Sequence, residues 1–217
     1  MKKKIVLGLL ALAAVLLTLY GRDLMGFYYL LEHVEATTEA YEAEGPWPHV
    51  ADSCYGCHGA NGNSQNQRYP SLAGQPAGYL TGQLQSFASG RRNFANMQPL
   101  AMTLSEAQIS SLAAYFERQT PLKNHWFRAD PQVQKKGEAL AASGACVACH
   151  GEKLMGQMQF PRLAGQGYDY LLAQLDAFAA DQRIDPTGSM KAVTANLSAD
   201  DRKALAHYLA ALAPANK

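Results

Sequence analysis

The chain has 217 residues, a length that allows two small domains or one of medium size. Hydrophobic residues make up 48% of the sequence, an ordinary proportion for a globular protein, and the formal net charge at pH 7 is +1. This balance argues against nucleic-acid binding, because proteins of that class carry a marked excess of basic residues.

The first 31 residues have the pattern of an export segment. Lys2, Lys3 and Lys4 precede an uncharged run of 16 residues, from Ile5 to Tyr20. That length lies between the apolar region of a signal peptide and the roughly 20 residues of a full membrane span. No small-residue cleavage site closes the run, and apolar residues resume over 24–31. We therefore expect residues 1–31 to be an uncleaved transmembrane anchor, with removal as a signal peptide as the alternative.

The charges around this segment predict its orientation. The lysines should stay on the cytoplasmic side of a bacterial inner membrane, which leaves everything after residue 31 in the periplasm. Five glutamates and no Lys or Arg then follow within thirteen residues: Glu32, Glu35, Glu39, Glu42 and Glu44. A solvated helix face is the ordinary explanation of such a run. We predict an acidic stalk over 32–48, with docking on a basic partner surface as the alternative.

All four cysteines lie in two C-x-x-C-H motifs, CYGCH at 54–58 and CVACH at 146–150. This spacing is typical of c-type haem attachment, since two thiols on one helical turn each bond a vinyl group and the next His lies beneath the iron. A redox dithiol, half of a zinc site or a disulfide would leave both histidines unexplained. We predict two covalently bound haem c groups, with these attachment residues and axial histidines: Cys54, Cys57, Cys146, Cys149, His58 and His150.

The sequence after the first motif is repeated after the second. YPSLAGQPAGYLTGQLQSF at 69–87 matches FPRLAGQGYDYLLAQLDAF at 160–178 with a shift of 91 residues, and beyond Arg92 the shift becomes 93. At the larger shift Met97 aligns with Met190, whereas Met102 aligns with an alanine. A thioether opposite His is the usual sixth ligand of electron-carrying c cytochromes. We predict Met97 and Met190 as the second axial ligands and a packing role for Met102.

The spacing of hydrophobic residues predicts an all-α chain. Helices are expected over 76–89 and 131–142, and after the capping residues Ser105 and Ser198. Together with the repeat, these elements predict a first domain over 49–119, a linker over 120–130 and a second domain over 131–217. The first domain lacks a clear counterpart of helix 131–142. The acidic segment before it is the candidate for that helix.

The repeated P-x-L-A-G-Q, followed in each copy by Y-L, Q-L and F, resembles the dihaem cytochrome c4 family over roughly residues 50–213. The resemblance implies two tandem class I cytochrome c domains, here behind an N-terminal transmembrane helix. It also implies that the carbonyls of Pro70 and Pro161 accept a hydrogen bond from each proximal His ring, which fixes the tautomer of the ring. Familiar members are soluble after signal cleavage, whereas this chain is expected to stay tethered.

The resemblance implies an electron carrier of a respiratory chain, with no small-molecule substrate and no enzymatic activity. We expect it to take electrons from a quinol–cytochrome c reductase of the bc1 type and to pass them to a terminal oxidase, with the cbb3 type as acceptor by family analogy. The alternatives are a fixed dihaem subunit of an oxidase or dehydrogenase, and a dihaem peroxidase or sulfur-compound oxidase. A peroxidase or a sulfur-compound oxidase needs an iron with an open position, and the paired Met97 and Met190 argue against such a position.

Overall fold

The structure is a computed structural model that describes residues 2–42, 49–144 and 146–215. The described residues contain helices and no β-strand, apart from one isolated bridge between Gln157 and Phe160. The predicted all-α class is therefore confirmed. The chain divides into two units, Met1–His49 and Val50–Lys217.

Helix α1, Lys2–Glu42, makes up nearly all of the described part of the first unit. Its Lys3–Thr38 stretch is long and apolar enough to cross a membrane, a description that a signal sequence near an N-terminus also meets. The residues that we assigned to an acidic stalk continue this helix as far as residue 42. The remainder of the predicted stalk, including Glu44, lies outside the described residues.

The second unit contains the same helices twice. The first set follows residue 50: α2 (Asp52–His58), α3 (Ala77–Ala88), α4 (Met97–Met102) and α5 (Glu106–Arg118). The second set contains one additional helix at its start: α6 (Pro131–Ser143), α7 (Cys146–His150), α8 (Tyr168–Ala179), α9 (Ser189–Ala195) and α10 (Ala199–Ala211). This order is that of one all-α domain followed by a second copy with one added helix.

Short polar side chains start the long helices. Ser105 and Ser198 each form a capping box, with Gln108 and Asp201 respectively, before α5 and α10. At the start of α6 the Asp130 carboxylate accepts hydrogen bonds from the first backbone N–H groups, and the next residue is a proline. These caps satisfy donors that a helix end leaves unpaired, so they define where each helix begins.

Each domain has its own hydrophobic core. The core of the first domain joins α3 to α5 and includes Leu80, Leu112 and Phe116. The core of the second domain joins α6, α8 and α10 and includes Ala141, Leu171, Leu175, Leu205 and Leu209. Helices α6 and α10 approach most closely at Gly137, where an added Cβ would lie 2.0 Å from the carbonyl oxygen of Ala204.

Residues 120–130, the predicted linker, contain no helix but are held against both domains. The Asn124 side chain donates hydrogen bonds to Gln67 Oε1, at 3.0 Å, and to the carbonyl of Gln166, at 3.2 Å. Phe127 stacks on Tyr168 with ring centroids 5.1 Å apart, and so belongs to the second core. The connection therefore contributes to the packing of the domains and restrains them.

Candidate haem sites

Helices α2 and α7 present the two C-x-x-C-H motifs. His58 and His150, the last residues of these helices, are buried. Burial raises the pKa of the Cys54 and Cys146 thiols, which argues against a redox dithiol, because the reactive thiol of such a pair has a lowered pKa. The four thiols form no disulfide, and the described residues contain no group of three His, Cys, Asp or Glu side chains able to hold a metal ion. Each motif therefore presents two free thiols and a buried imidazole on one short helix.

The two buried imidazoles have the same hydrogen-bond partner. His58 Nδ1 lies 2.7 Å from the carbonyl oxygen of Pro70, and His150 Nδ1 lies 2.9 Å from that of Pro161. Burial lowers the pKa of both imidazoles, although each carbonyl acts in the opposite direction. Each ring is therefore neutral at pH 7, with its proton on Nδ1 donated to the carbonyl. This tautomer leaves the lone pair of Nε2 available to an iron ion.

The repeat-matched methionines lie at the start of matching short helices. Met97 is the first residue of α4, and Met190 is the second residue of α9. Both side chains are half-buried, and Met190 packs against the second core. Met97 and Met190 therefore lie near the starts of corresponding helices in the two domains.

The packing role that we predicted for Met102 is wrong, because 65% of this residue is exposed. The preceding residue, Ala101, is fully buried and occupies the core-facing position of α4. Successive helical residues are rotated by about 100°, so Met102 points away from the core. In the second domain the counterpart of Met102 is Ala195. It also follows a fully buried residue, Thr194, so α9 turns the same face toward the core as α4 does.

The two residues by which the second copy is longer form a turn around Asp185. One carboxylate oxygen accepts hydrogen bonds from the backbone N–H groups of Thr187, at 3.1 Å, and Ser189, at 3.2 Å. The other oxygen accepts from the N–H of Met190 at 3.0 Å. Burial raises the pKa of Asp185, but hydrogen bonds from the Thr187 hydroxyl and from these backbone N–H groups outweigh it and lower the pKa. Sequence comparison passed over this residue because the first copy has no counterpart.

Replacing Asp185 by alanine should weaken the placement of Met190. Three backbone donors would lose a charged acceptor, at a cost of about 1–3 kcal/mol. Since the pKa of Asp185 is lowered in the folded state, its contribution is complete above the ordinary value of about 3.9 and is lost as pH falls through the lowered value. Acid and urea titrations of the visible spectrum should therefore remove the Met–iron signal expected of the second domain earlier than in wild type. The Met97 signal serves as the internal control, and equal loss of both signals would contradict the assignment.

The loops that hold the two histidines are clamped to each other by a pair of glutamines. Gln166 accepts a hydrogen bond from Ser71 N at 2.6 Å and donates one to Ser71 O at 3.0 Å. Gln75 makes the same two bonds with the backbone of Arg162, at 2.8 and 2.9 Å. These residues correspond to one another at a shift of 91, so the two domains meet with approximate two-fold symmetry.

A second mirrored cluster joins α3 to α8. Arg92 donates to Gln83, Tyr170 and Gln174, and Arg183 donates to the matching side chains Gln174, Tyr79 and Gln83. Each guanidinium also lies over the ring of a phenylalanine of its own domain, at 4.6 and 4.7 Å from the centroid. Burial raises the pKa of Tyr170, but Arg92 and Arg183 outweigh it and lower that pKa to about 8. The repeated tyrosine, glutamine and arginine positions therefore form an interface, which alignment alone did not indicate.

The residues present fit the attachment of haem in each domain. The fit rests on two thiols on one turn followed by a buried, neutral imidazole with Nε2 unprotonated. Two such sites, in tandem all-α domains, define a dihaem c-type cytochrome with two covalently bound haem c groups.

Comparison with known proteins narrows this class. The cytochrome c family model matches residues 48–119 and 134–213. Cytochrome c4 of Thiocapsa roseopersicina is 38% identical over 170 residues, which are 73% of this chain and 86% of that protein. A thiosulfate dehydrogenase electron acceptor of Thiomonas intermedia is 38% identical over 174 residues, 76% of this chain and 80% of that protein. The crystal structure of reduced recombinant cytochrome c4 from Pseudomonas stutzeri has a TM-score of 0.70 at 34% identity, and the match covers 75% of this chain and 94% of that one.

The chain belongs to the dihaem cytochrome c4 family. It is an electron-transfer cytochrome.

Proposed function

We propose that this chain is a membrane-tethered periplasmic carrier that takes electrons from a quinol-oxidising bc1-type complex and passes them to a terminal oxidase of the cbb3 type. The observation that carries the proposal is the mirrored interface, which holds two matching haem sites side by side through Gln75, Gln166 and the Arg92–Arg183 cluster. A pair of sites held in fixed register suits an electron that enters through one domain and leaves through the other.

In this proposal the chain would supply two ligands to the iron of each bound haem. His58 and Met97 serve the first haem, and His150 and Met190 serve the second. The carbonyls of Pro70 and Pro161 support the assignment, because they hold each imidazole in the tautomer that presents Nε2. A haem iron with both of these ligands would have no open place for peroxide or a sulfur compound, which supports a carrier over an enzyme.

The chemistry that haem supplies when bound is the one-electron exchange between ferric and ferrous iron. The chain contributes by keeping the ligands in place in both states. The Pro70 carbonyl and Asp185 hold ligand-bearing segments through hydrogen bonds, and the buried cores restrict their movement. A site that changes little between oxidation states has little to reorganise when the electron moves, which favours rapid transfer.

Helix α1 supplies the proposed tether, since Lys3–Thr38 meets the length and composition of a membrane span. A tether confines the cytochrome domains near membrane-bound partners and so raises their effective concentration. Alkaline carbonate washing should therefore leave the full-length chain in the membrane pellet. A variant with residues 1–31 replaced by a cleavable signal peptide should move to the soluble periplasmic extract with its visible spectrum unchanged. If wild-type protein is soluble and lacks residues 1–31, the segment is a removed signal peptide.

A second candidate is an electron acceptor for a thiosulfate dehydrogenase, or a fixed subunit of such an enzyme. It is favoured by the 38% identity to the Thiomonas intermedia protein of that description. Chemical crosslinking of native membranes, followed by identification of the linked chains, separates the candidates. Links to the bc1-type complex and the oxidase support the carrier, whereas links to a thiosulfate-oxidising dehydrogenase support the second candidate. A stoichiometric complex that survives gentle detergent extraction would identify a fixed subunit.

A further inference from the structure

Among the described residues, Arg162 is the arginine that is fully buried between the two cytochrome domains, whereas Arg92 and Arg183 are half-buried there. Arg162 is only 1% exposed, and it has the largest fully buried side chain in the described part of the chain. Its guanidinium donates through Nε and Nη2 to the carbonyl of Ala73, at 3.2 and 3.0 Å, and through Nη1 to the carbonyl of Ala164. Ala73 and Ala164 match at the repeat shift of 91, so the cation lies between equivalent points of the two domains.

The charge of Arg162 has no anionic partner among the described residues. All of its hydrogen-bond acceptors are neutral backbone carbonyls, and no carboxylate of the described chain forms an ion pair with it. Burial lowers the pKa of Arg162 to about 10, so the side chain remains protonated at pH 7. Burying a charge destabilises a fold unless hydrogen bonds compensate for the lost water, and apolar residues of similar size often replace buried ions without loss. The presence of this cation therefore points to an electrostatic role.

The position of the cation connects it with both histidine loops. Arg162 directly follows Pro161, whose carbonyl holds His150. Its Nη2 also lies 3.5 Å from the carbonyl of Ser71, which directly follows Pro70, the partner of His58. Ser71 is the residue that corresponds to Arg162 in the first copy, so only the second copy has a cation at this position of the repeat.

We propose that Arg162 is a potential-setting residue for both haem groups. Reduction lowers the positive charge of each iron by one, so a fixed positive charge nearby favours the ferrous state and raises the reduction potential. The effect is strong in an interior of low effective dielectric, and added salt screens it weakly because the charge is buried. The inference rests on the two haem groups of the family and not on the choice of redox partners.

The test compares Arg162→Met, which removes the charge at similar volume, with Arg162→Lys, which keeps it. Spectroelectrochemical titration of the full-length protein should show that both midpoint potentials fall in Arg162→Met. At a fixed ambient potential, the ratio of reduced to oxidised haem should drop several-fold at each site, and equally at low and high salt. Arg162→Lys should stay close to wild type at neutral pH.

A pH titration keeps the proposal testable if Arg162→Met does not fold. Burial brings the pKa of a lysine into the range of pH that can be titrated far more readily than it does the pKa of an arginine. The potentials of Arg162→Lys should therefore fall as alkaline pH removes the lysine charge, while those of wild type stay level over the same range. Potentials of Arg162→Lys that follow wild type throughout would contradict the proposal.

The matched control is Arg68→Gln. Arg68 lies two residues before Pro70, on one of the same loops, but 83% of its side chain is exposed. Its removal should change the potentials little, and any change should shrink as salt is added. If Arg162→Met lowers thermal stability but shifts the potentials no more than Arg68→Gln does, the residue is only structural. If one haem alone responds, the shared role is wrong.

Discussion

Replacing either Met97 or Met190 by alanine should remove one thioether–iron bond and leave the other intact. The visible spectrum of the oxidised protein should lose about half of its Met–iron charge-transfer absorption, since each domain is expected to hold one such bond. One midpoint potential should fall by on the order of 0.1 V, a fraction of the roughly 0.8 V over which axial ligands tune haem. Absorption spectroscopy combined with redox titration measures both effects.

The control for this experiment is Met102→Ala. Met102 lies only five residues after Met97, but it is largely exposed and has an alanine at its counterpart position. Its removal should leave both Met–iron signals and both potentials at their wild-type values. Loss of a signal in Met102→Ala, with retention in Met97→Ala, would mean that the repeat alignment assigns the ligand of the first domain incorrectly.

Replacing Gly137 by alanine should severely destabilise the second domain. The new Cβ would lie 2.0 Å from the Ala204 carbonyl oxygen and 2.7 Å from Tyr208 Cβ, which are fixed parts of α10. Helices α6 and α10 would have to move apart, and overpacking of this kind costs about 1–3 kcal/mol or more. This loss should exceed the gain of up to ~1 kcal/mol that alanine brings inside a helix. Urea unfolding followed through the absorption of each haem should show an earlier transition for the second domain alone.

Gly82→Ala is the matched control, because Gly82 lies inside α3 and its added Cβ would meet no atom within 4 Å. This change should leave stability unaltered or raise it by about 0.5–1 kcal/mol, through helix propensity alone. If the two variants unfold alike, the close approach of α6 and α10 at Gly137 does not describe the protein in solution.

The repeat was the most informative feature of the sequence, but it did not reveal how the copies meet. It matched Tyr79, Gln83 and Arg92 with their counterparts, and so predicted equal folds for the two copies. Matching residues show that two copies fold alike, whereas docking depends on which surfaces complement each other. The structure shows that these matched polar side chains pack on one another across the interface.

The roles of residues without a matching residue in the other copy were the hardest to predict. Arg162 aligns with Ser71, and arginine is rarely fully buried. The sequence therefore gives no sign that Arg162 lies inside the protein. Asp185 falls in the two-residue extension, where no comparison is possible. The orientation of the six-residue helix α4 was also beyond prediction, and this is why Met102 was wrongly given a packing role.

The caps and motifs, in contrast, depend on local chemistry and were predictable. Ser105 and Ser198 begin helices because their side chains accept a backbone N–H of the first turn. The C-x-x-C-H spacing identifies haem attachment because a single helical turn brings the three reactive side chains together. Features of this kind are determined by a few neighbouring residues, and tertiary packing changes them little.

The most direct test of the proposed carrier role is the redox response of its haem groups in native membranes. Quinol added without oxygen should reduce both haem groups, a specific inhibitor of the bc1-type complex should prevent this, and admission of oxygen should re-oxidise both. Time-resolved absorption records all three steps in one sample. Haem groups that stay oxidised with quinol but become reduced when thiosulfate is added would contradict the proposed route and identify an acceptor for thiosulfate oxidation.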